Sequence, residues 1–126
     1  MTESKPSSNI LVGELAGQVL GPGLYVVPGQ GNSLAIETDD GVVVLDASGR
    51  RHVEGMLAML REHTQAPVHA VVYSHGHHGY NAAVDAWQRH NEERGDPPPR
   101  LVAHENVLRR YARLLDDGHL SWAHIT

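Results

Sequence analysis

Two apolar runs without polar alternation, GVVVL at 41–45 and AVVY at 70–73, constrain this chain more than any other feature. A strand with one face in water alternates apolar and polar residues, so a run that is apolar at every position belongs to a strand covered on both faces. Between the two runs, Val53, Met56, Leu57 and Leu60 recur at helical spacing over about 52–63, and Pro67 closes the connection. Upstream, LYVV and SLAIET are short β-rich runs separated by PGQGN, and Asp39, Asp40 and Gly41 supply hairpin chemistry before GVVVL. The order is therefore a three-stranded meander, a helix and a buried strand over 69–73. Beyond it, 81–93 reads as a helix with Ala83, Val84 and Trp87 on one face, RGDPPPR as a rigid turn, 100–103 as a short strand and about 105–115 as a third helix. This predicts one α/β domain over 10–126. The polar residues 1–9, with Pro6, Ser7 and Ser8, predict a disordered tail.

Composition removes several classes of function. A chain of 126 residues fits one small domain. Its net charge is −5, with Lys5 as its one lysine and no run of arginines, and phosphate binding needs a concentrated positive face. Nucleic acid is not an expected partner. No stretch approaches the roughly 18 apolar residues of a membrane span, and the N-terminus lacks a basic segment followed by a long apolar core, so no membrane partner is expected and the location predicted is the cytoplasm. Cysteine is absent, which excludes thiolate chemistry and leaves His, Asp and Glu to hold any metal. Ten histidines make such a site chemically reasonable.

Three of them fall within VYSHGHHGYN at 72–81, where the buried strand runs into a loop. Alternate residues of an extended segment share a side, so His75 and His77 face one point while His78 faces away. Neutral imidazole suits Zn, Fe, Ni or Cu, and a catalytic zinc site takes three protein ligands and keeps one position for water. From these residues alone, a polar loop hydrogen-bonded to backbone is the competing reading. Asn81 reads as the N-cap of the following helix, and Ser74 as a strand-end hydroxyl.

In its order of elements, and in GVVVLDAS followed by a helix, a buried strand and SHGH, the chain resembles the metallo-β-lactamase-fold superfamily of metallohydrolases over about residues 22–113. There a strand of the type DGVVLID is followed by a helix and then by a strand ending in His-x-His-x-Asp-His. The resemblance implies a sheet with covering helices that forms the N-terminal half of a four-layer α/β/β/α sandwich. It also implies that His75 and His77 are the first two metal ligands and that Asp46, ending the preceding strand, is a structural support. Gly79 stands where the motif has Asp and Tyr80 where it has its last His, so the motif is degenerate and both ligands of a second metal position are replaced. LVAHENVLRRYARL resembles the strand and helix that follow the motif in the same superfamily.

The expected cofactor is one Zn ion, with Fe and Mn as alternatives, and the expected chemistry is activation of water against an ester-, amide- or sulfate-type bond of a small molecule. Tyr80 and His78 are the candidates to orient that water. Candidate third ligands are His104 at a strand end, and His119 and His124 in GHLSWAHIT. The competing expectation is a non-catalytic scaffold. In either case a homodimer or a complementing C-terminal-half chain is expected to cover the open face of the sheet, with Trp122 packing on such a neighbour.

Overall fold

The structure is a computed structural model and describes residues 18–29 and 31–117, the side chain of His78 excepted. The expected tail at 1–9, and His119, Trp122 and His124, lie outside the described residues. Six strands form one mixed sheet in sequential order: β1 (Gln18–Gly21), β2 (Leu24–Gly29), β3 (Gly31–Thr38), β4 (Gly41–Leu45), β5 (Val68–Val72) and β6 (Arg100–Val102). The first four pair antiparallel. The last two join in parallel, through α1 (Val53–His63) between β4 and β5 and α2 (Val84–Arg94) between β5 and β6. A third helix, α3 (Glu105–Asp116), follows β6. The class is α/β, as the order of elements predicts.

Local chemistry accounts for most of these elements. Gly41 turns the β3–β4 hairpin at φ +126°, a conformation open to glycine, and Thr38 Oγ1 donates to its carbonyl at 2.7 Å. The backbone of α1 closes against Thr64 in an extended conformation, and α2 ends on Gly95 in the left-handed region. Strand β1 is a correction to the sequence reading, which starts the sheet at LYVV. QVLG is exposed along most of its length and carries no buried apolar pattern; it is a strand only because β2 offers it an edge. The helix expected from 81 also begins later. Residues 78–80 form a 3₁₀ turn, and α2 starts at Val84 with Ala83 as its N-cap.

The core lies between one face of the sheet and the helices α1 and α2. Tyr25, Val27, Ala35, Val42, Val44, Val68 and Val71 meet Val53, Met56, Leu57 and Leu60 of α1 and Val84, Ala86 and Trp87 of α2. Two buried polar anchors fix α2. Trp87 Nε1 donates to the Ala47 carbonyl at 2.8 Å, and Asn91 Nδ2 donates to the carbonyls of Val68 and Pro97 at 2.7 and 2.8 Å. The opposite face of the sheet carries Leu24, Ile36 and Val43 in one cross-strand row and Val26, Leu34, Leu45 and Val72 in the next, all half-buried. Among the described residues, no helix is long and apolar enough to cross a membrane.

Candidate metal centre

The histidine loop leaves the C-terminal end of β5 and is tied to the end of β4. The Asp46 amide donates to the Val72 carbonyl at 2.8 Å, which continues the parallel pairing one step beyond the strands. Asp46 and Ser48 both take φ +70°, uncommon for residues other than glycine though Asp tolerates it well, and these two turns bend 46–48 beneath the loop. Asn81 Oδ1 accepts from the Ala47 amide at 2.8 Å, the Ser48 amide donates to the Tyr80 carbonyl at 2.6 Å and the Ala83 amide donates to the Ser48 carbonyl at 3.0 Å. Ser33 Oγ donates to the Asp46 carbonyl at 2.7 Å from the neighbouring strand β3. Two chain segments far apart in sequence are thus laced into one platform.

On that platform the rings of His75 and His77 meet edge to face, their centres 4.7 Å apart. Two imidazoles bound to one tetrahedral zinc at Zn–N of about 2.0–2.1 Å would place their ring centres roughly 5 Å apart, close to this separation. Tyr80 completes the cluster, its ring centre 4.6 Å from that of His75 and 6.1 Å from that of His77. A β-carbon at Gly31, where φ is +72°, would lie 2.6 Å from the edge of the Tyr80 ring, so the ring rests on bare backbone there. Gly79 supplies no donor, and a β-carbon placed on it would meet nothing within 4 Å.

Asp46 is nearly buried, at 8% exposure, and both of its carboxylate oxygens are hydrogen-bonded. Oδ1 accepts from the Ser74 amide at 2.9 Å and from Asn81 Nδ2 at 2.8 Å, and Oδ2 accepts from Ser74 Oγ at 2.5 Å. Ser74 Oγ in turn lies 2.7 Å from His75 Nδ1. The expected roles of Asn81 and Ser74 need correcting here. Asn81, at 3% exposure, does not cap α2 with its side chain but holds Asp46 and Ala47, and Ser74 joins the buried carboxylate to a candidate ligand. A buried polar residue must satisfy its donors and acceptors, and that demand overrides a local capping preference.

The helix α3 closes one side. Arg110 crosses the loop, its Cδ 2.8 Å from where a β-carbon on Gly76 would sit. Tyr111 is buried beside Tyr73, and its phenol is pushed up to about 12 by burial and then by Tyr73 and Asp46, which keeps it neutral. The structure places His104 at the N-cap of α3, exposed, with Nδ1 accepting from the Asn106 amide at 3.1 Å. Its ring thus serves the helix terminus. Among the described residues, no group of three or more His, Cys, Asp or Glu is placed to hold a metal ion.

A family model described as the metallo-beta-lactamase superfamily matches residues 26–108, more than half of the chain. No curated protein matches it. Among solved structures, the metallo-β-lactamase from Cronobacter sakazakii aligns with a TM-score of 0.64 at 16% identity, over 79% of this chain and 38% of that one. The stereoselective inverting sec-alkylsulfatase Pisa1 from Pseudomonas sp. aligns with a TM-score of 0.55 at 25% identity, over 70% of this chain and 14% of that one. The metallo-β-lactamase MIM-1 from Novosphingobium pentaromativorans aligns with a TM-score of 0.53 at 23% identity, over 60% and 29%. This chain therefore spans well under half the length of these neighbours. With the match of the family model across the sheet, the histidine loop and the start of α3, the chain belongs to the metallo-β-lactamase superfamily.

Proposed function

We propose that this chain carries the metal-binding half of a metallohydrolase, with His75 and His77 as ligands of a single ion. The observation that carries the reading is the edge-to-face meeting of these two imidazoles at the end of β5, in a chain of a superfamily whose members typically bind metal ions, often zinc. Zinc suits two imidazole donors, and Fe or Mn remains compatible with a site completed by oxygen. When bound, such an ion lowers the pKa of its water toward neutrality and polarises the oxygen of the scissile group.

The side chains around it define what else this chain contributes. Asp46 spends its carboxylate on Ser74 and Asn81. Gly79 brings no carboxylate, and Tyr80 no imidazole, so a second metal position has lost two of its donors. That supports a mononuclear site. Tyr80 brings a phenolic hydroxyl on a ring tilted against His75 and stacked toward His77, which can donate to a substrate oxygen or orient a water. His78, two residues before it in the chain, is the second candidate for that task. The substrate proposed is a small molecule with an ester-, amide- or sulfate-type bond, in keeping with the lactamases and the alkylsulfatase among the structural neighbours. The compartment proposed is the cytoplasm.

One observation favours a second reading. Because no third His, Cys, Asp or Glu joins the pair among the described residues, we look for a third ligand outside them, with His119 and His124 as the candidates in this chain and another chain as the alternative. If none does, the molecule is a scaffold that pairs with a second chain through the open face of its sheet. Elemental analysis of the purified protein decides between the two. About one ion per chain is expected in the wild type and in His78→Ala, and none in His75→Ala. Equal metal content in wild type and His75→Ala would overturn the assignment, and a wild type free of metal after zinc loading would leave the scaffold.

A further inference from the structure

We propose that Asp46 and Ser74 act as a relay that fixes the tautomer of His75, placing its proton on Nδ1 and leaving Nε2 as the nitrogen offered to a metal. The proposal rests on His75 as a ligand for its purpose, but not for its geometry.

The protons available to these three side chains fix the direction of each bond. The Asp46 carboxylate can only accept. Its Oδ1 is held by two N–H donors, the Ser74 amide and Asn81 Nδ2, both at less than 3 Å, which fixes the plane and direction of the group. Its Oδ2 faces Ser74 Oγ at 2.5 Å, a separation that requires a proton between them, and only the serine hydroxyl has one to give. Ser74 has a single hydroxyl proton, so with that proton on Asp46 its oxygen has only lone pairs left. His75 Nδ1 stands 2.7 Å from the same oxygen. Two lone pairs at that distance would repel, so Nδ1 must carry the hydrogen and donate it to Ser74. In a neutral imidazole the other nitrogen is then the acceptor, and Nε2 is free to bind an ion.

The rest of the platform explains why the relay can hold although Ser74 itself is exposed. The fixed end is Asp46, buried and tied at its amide to Val72, at its carbonyl to Ser33 and at its carboxylate to Asn81. Outer partners of metal-bound histidines do the same work in general, orienting the ring and raising its basicity, and their loss lowers metal affinity by about 10–100-fold. Here the partner is a serine hydroxyl backed by a carboxylate. Ser74 and Asp46 are positioning residues, acting through His75.

Asp46→Asn reverses the direction of the bonds. Asparagine also accepts the left-handed backbone at this position. Its amide oxygen can replace Oδ1 and keep both N–H donors, which turns its NH2 group toward Ser74 Oγ. The serine oxygen then accepts from that group, and its own proton is released to point at His75 Nδ1. Nδ1 must now be the acceptor, and the ring proton moves to Nε2.

Long-range proton–nitrogen correlation spectra of the metal-free protein at about pH 8, where imidazoles are neutral, read the tautomer directly, with His75 assigned by its loss in His75→Gln. The wild type is expected in the Nδ1–H form and Asp46→Asn in the Nε2–H form, with Ser74→Ala no longer locked and Ser74→Thr restored. Competition titration with zinc should show affinity lowered about 10–100-fold in Ser74→Ala and Asp46→Asn and recovered in Ser74→Thr, while circular dichroism shows that each variant keeps its fold. A wild-type His75 in the Nε2–H form, or an unchanged tautomer in both Asp46→Asn and Ser74→Ala, would overturn the relay. If the tautomers behave as stated but His75→Gln binds zinc as tightly as wild type, the relay stands and His75 as a ligand falls.

Discussion

Gly79 and Tyr80 are the two residues at which this chain departs most from a His-x-His-x-Asp-His loop, and the structure gives each a different physical character. Gly79 is simply open: a side chain there meets no atom within 4 Å. Tyr80 is built in, lying on the bare backbone of Gly31 and against the rings of both histidines. Reintroducing a carboxylate at the first should therefore be tolerated, whereas replacing the second removes packing as well as a hydroxyl. The double substitution Gly79→Asp with Tyr80→His is expected to raise zinc capacity from about one toward two ions per chain at a modest loss of melting temperature. Elemental analysis after zinc loading and a thermal melt check both parts. Two tightly held ions in the unmodified protein would show that the single-ion reading is wrong. The substitution pattern at 79 and 80 is legible in the sequence; the unequal space around the two residues is not, because it depends on what β3 places beneath the loop.

At the scale of elements, the seam between α1 and α2 carries a titratable contact of its own. Arg61 Nε donates to His90 Nε2 at 3.0 Å, and Arg61 Nη1 also donates to the carbonyls of Thr64 and Ala66, so one guanidinium ends α1 and binds α2. The His90 ring must be neutral to accept. Burial lowers its pKa first, then Arg61 and Arg94, with Glu93 and Asp96 opposing. The folded state thus binds a proton at His90 less readily than the unfolded chain does. Stability from this contact is complete above the ordinary imidazole value of about 6.5 and is lost as pH falls from there through the lower folded-state value. Urea unfolding of the metal-free protein between pH 8 and pH 5 is expected to show a decline that is shallower in His90→Gln. Identical pH profiles for the two proteins would show that the contact does not respond to charge. The helices themselves follow from their apolar spacing, but this seam does not, since His90 and Arg61 look like ordinary surface residues in the sequence.

For the whole molecule, the sheet has two unlike faces. One packs on α1 and α2. The other presents Leu24, Val26, Leu34, Ile36, Val43, Leu45 and Val72 half-buried in registered rows, and Val19, Leu20, Leu101 and Val102 are exposed at the two edges. A continuous aliphatic surface of this kind promotes association in water. Light scattering is expected to show self-association at micromolar concentration, reduced to monomer by Val26→Lys with Leu34→Glu, which charge the centre of that face and leave the helix-covered core untouched. A wild type that stays monomeric would remove a second copy of this chain as the covering layer. Association and metal content should rise together if the partner supplies the third ligand.

What the sequence by itself determined is the list and order of elements from β2 to α3, and the place of the histidine pair at the end of the apolar strand β5. Those properties are local: apolar period, turn residues and helix stops act over a few positions. Only the tertiary structure decided that Asn81 holds Asp46 instead of capping α2, that Ser74 links that carboxylate to His75, that His104 caps α3, and that QVLG becomes an edge strand. Asp46 is separated from Ser74 by 28 positions and from Asn81 by 35, and the three meet because β4 and β5 pair in parallel and bring their C-terminal ends side by side. A buried carboxylate placed there must then find hydrogen-bond donors, and the residues nearest in space, not in sequence, supply them.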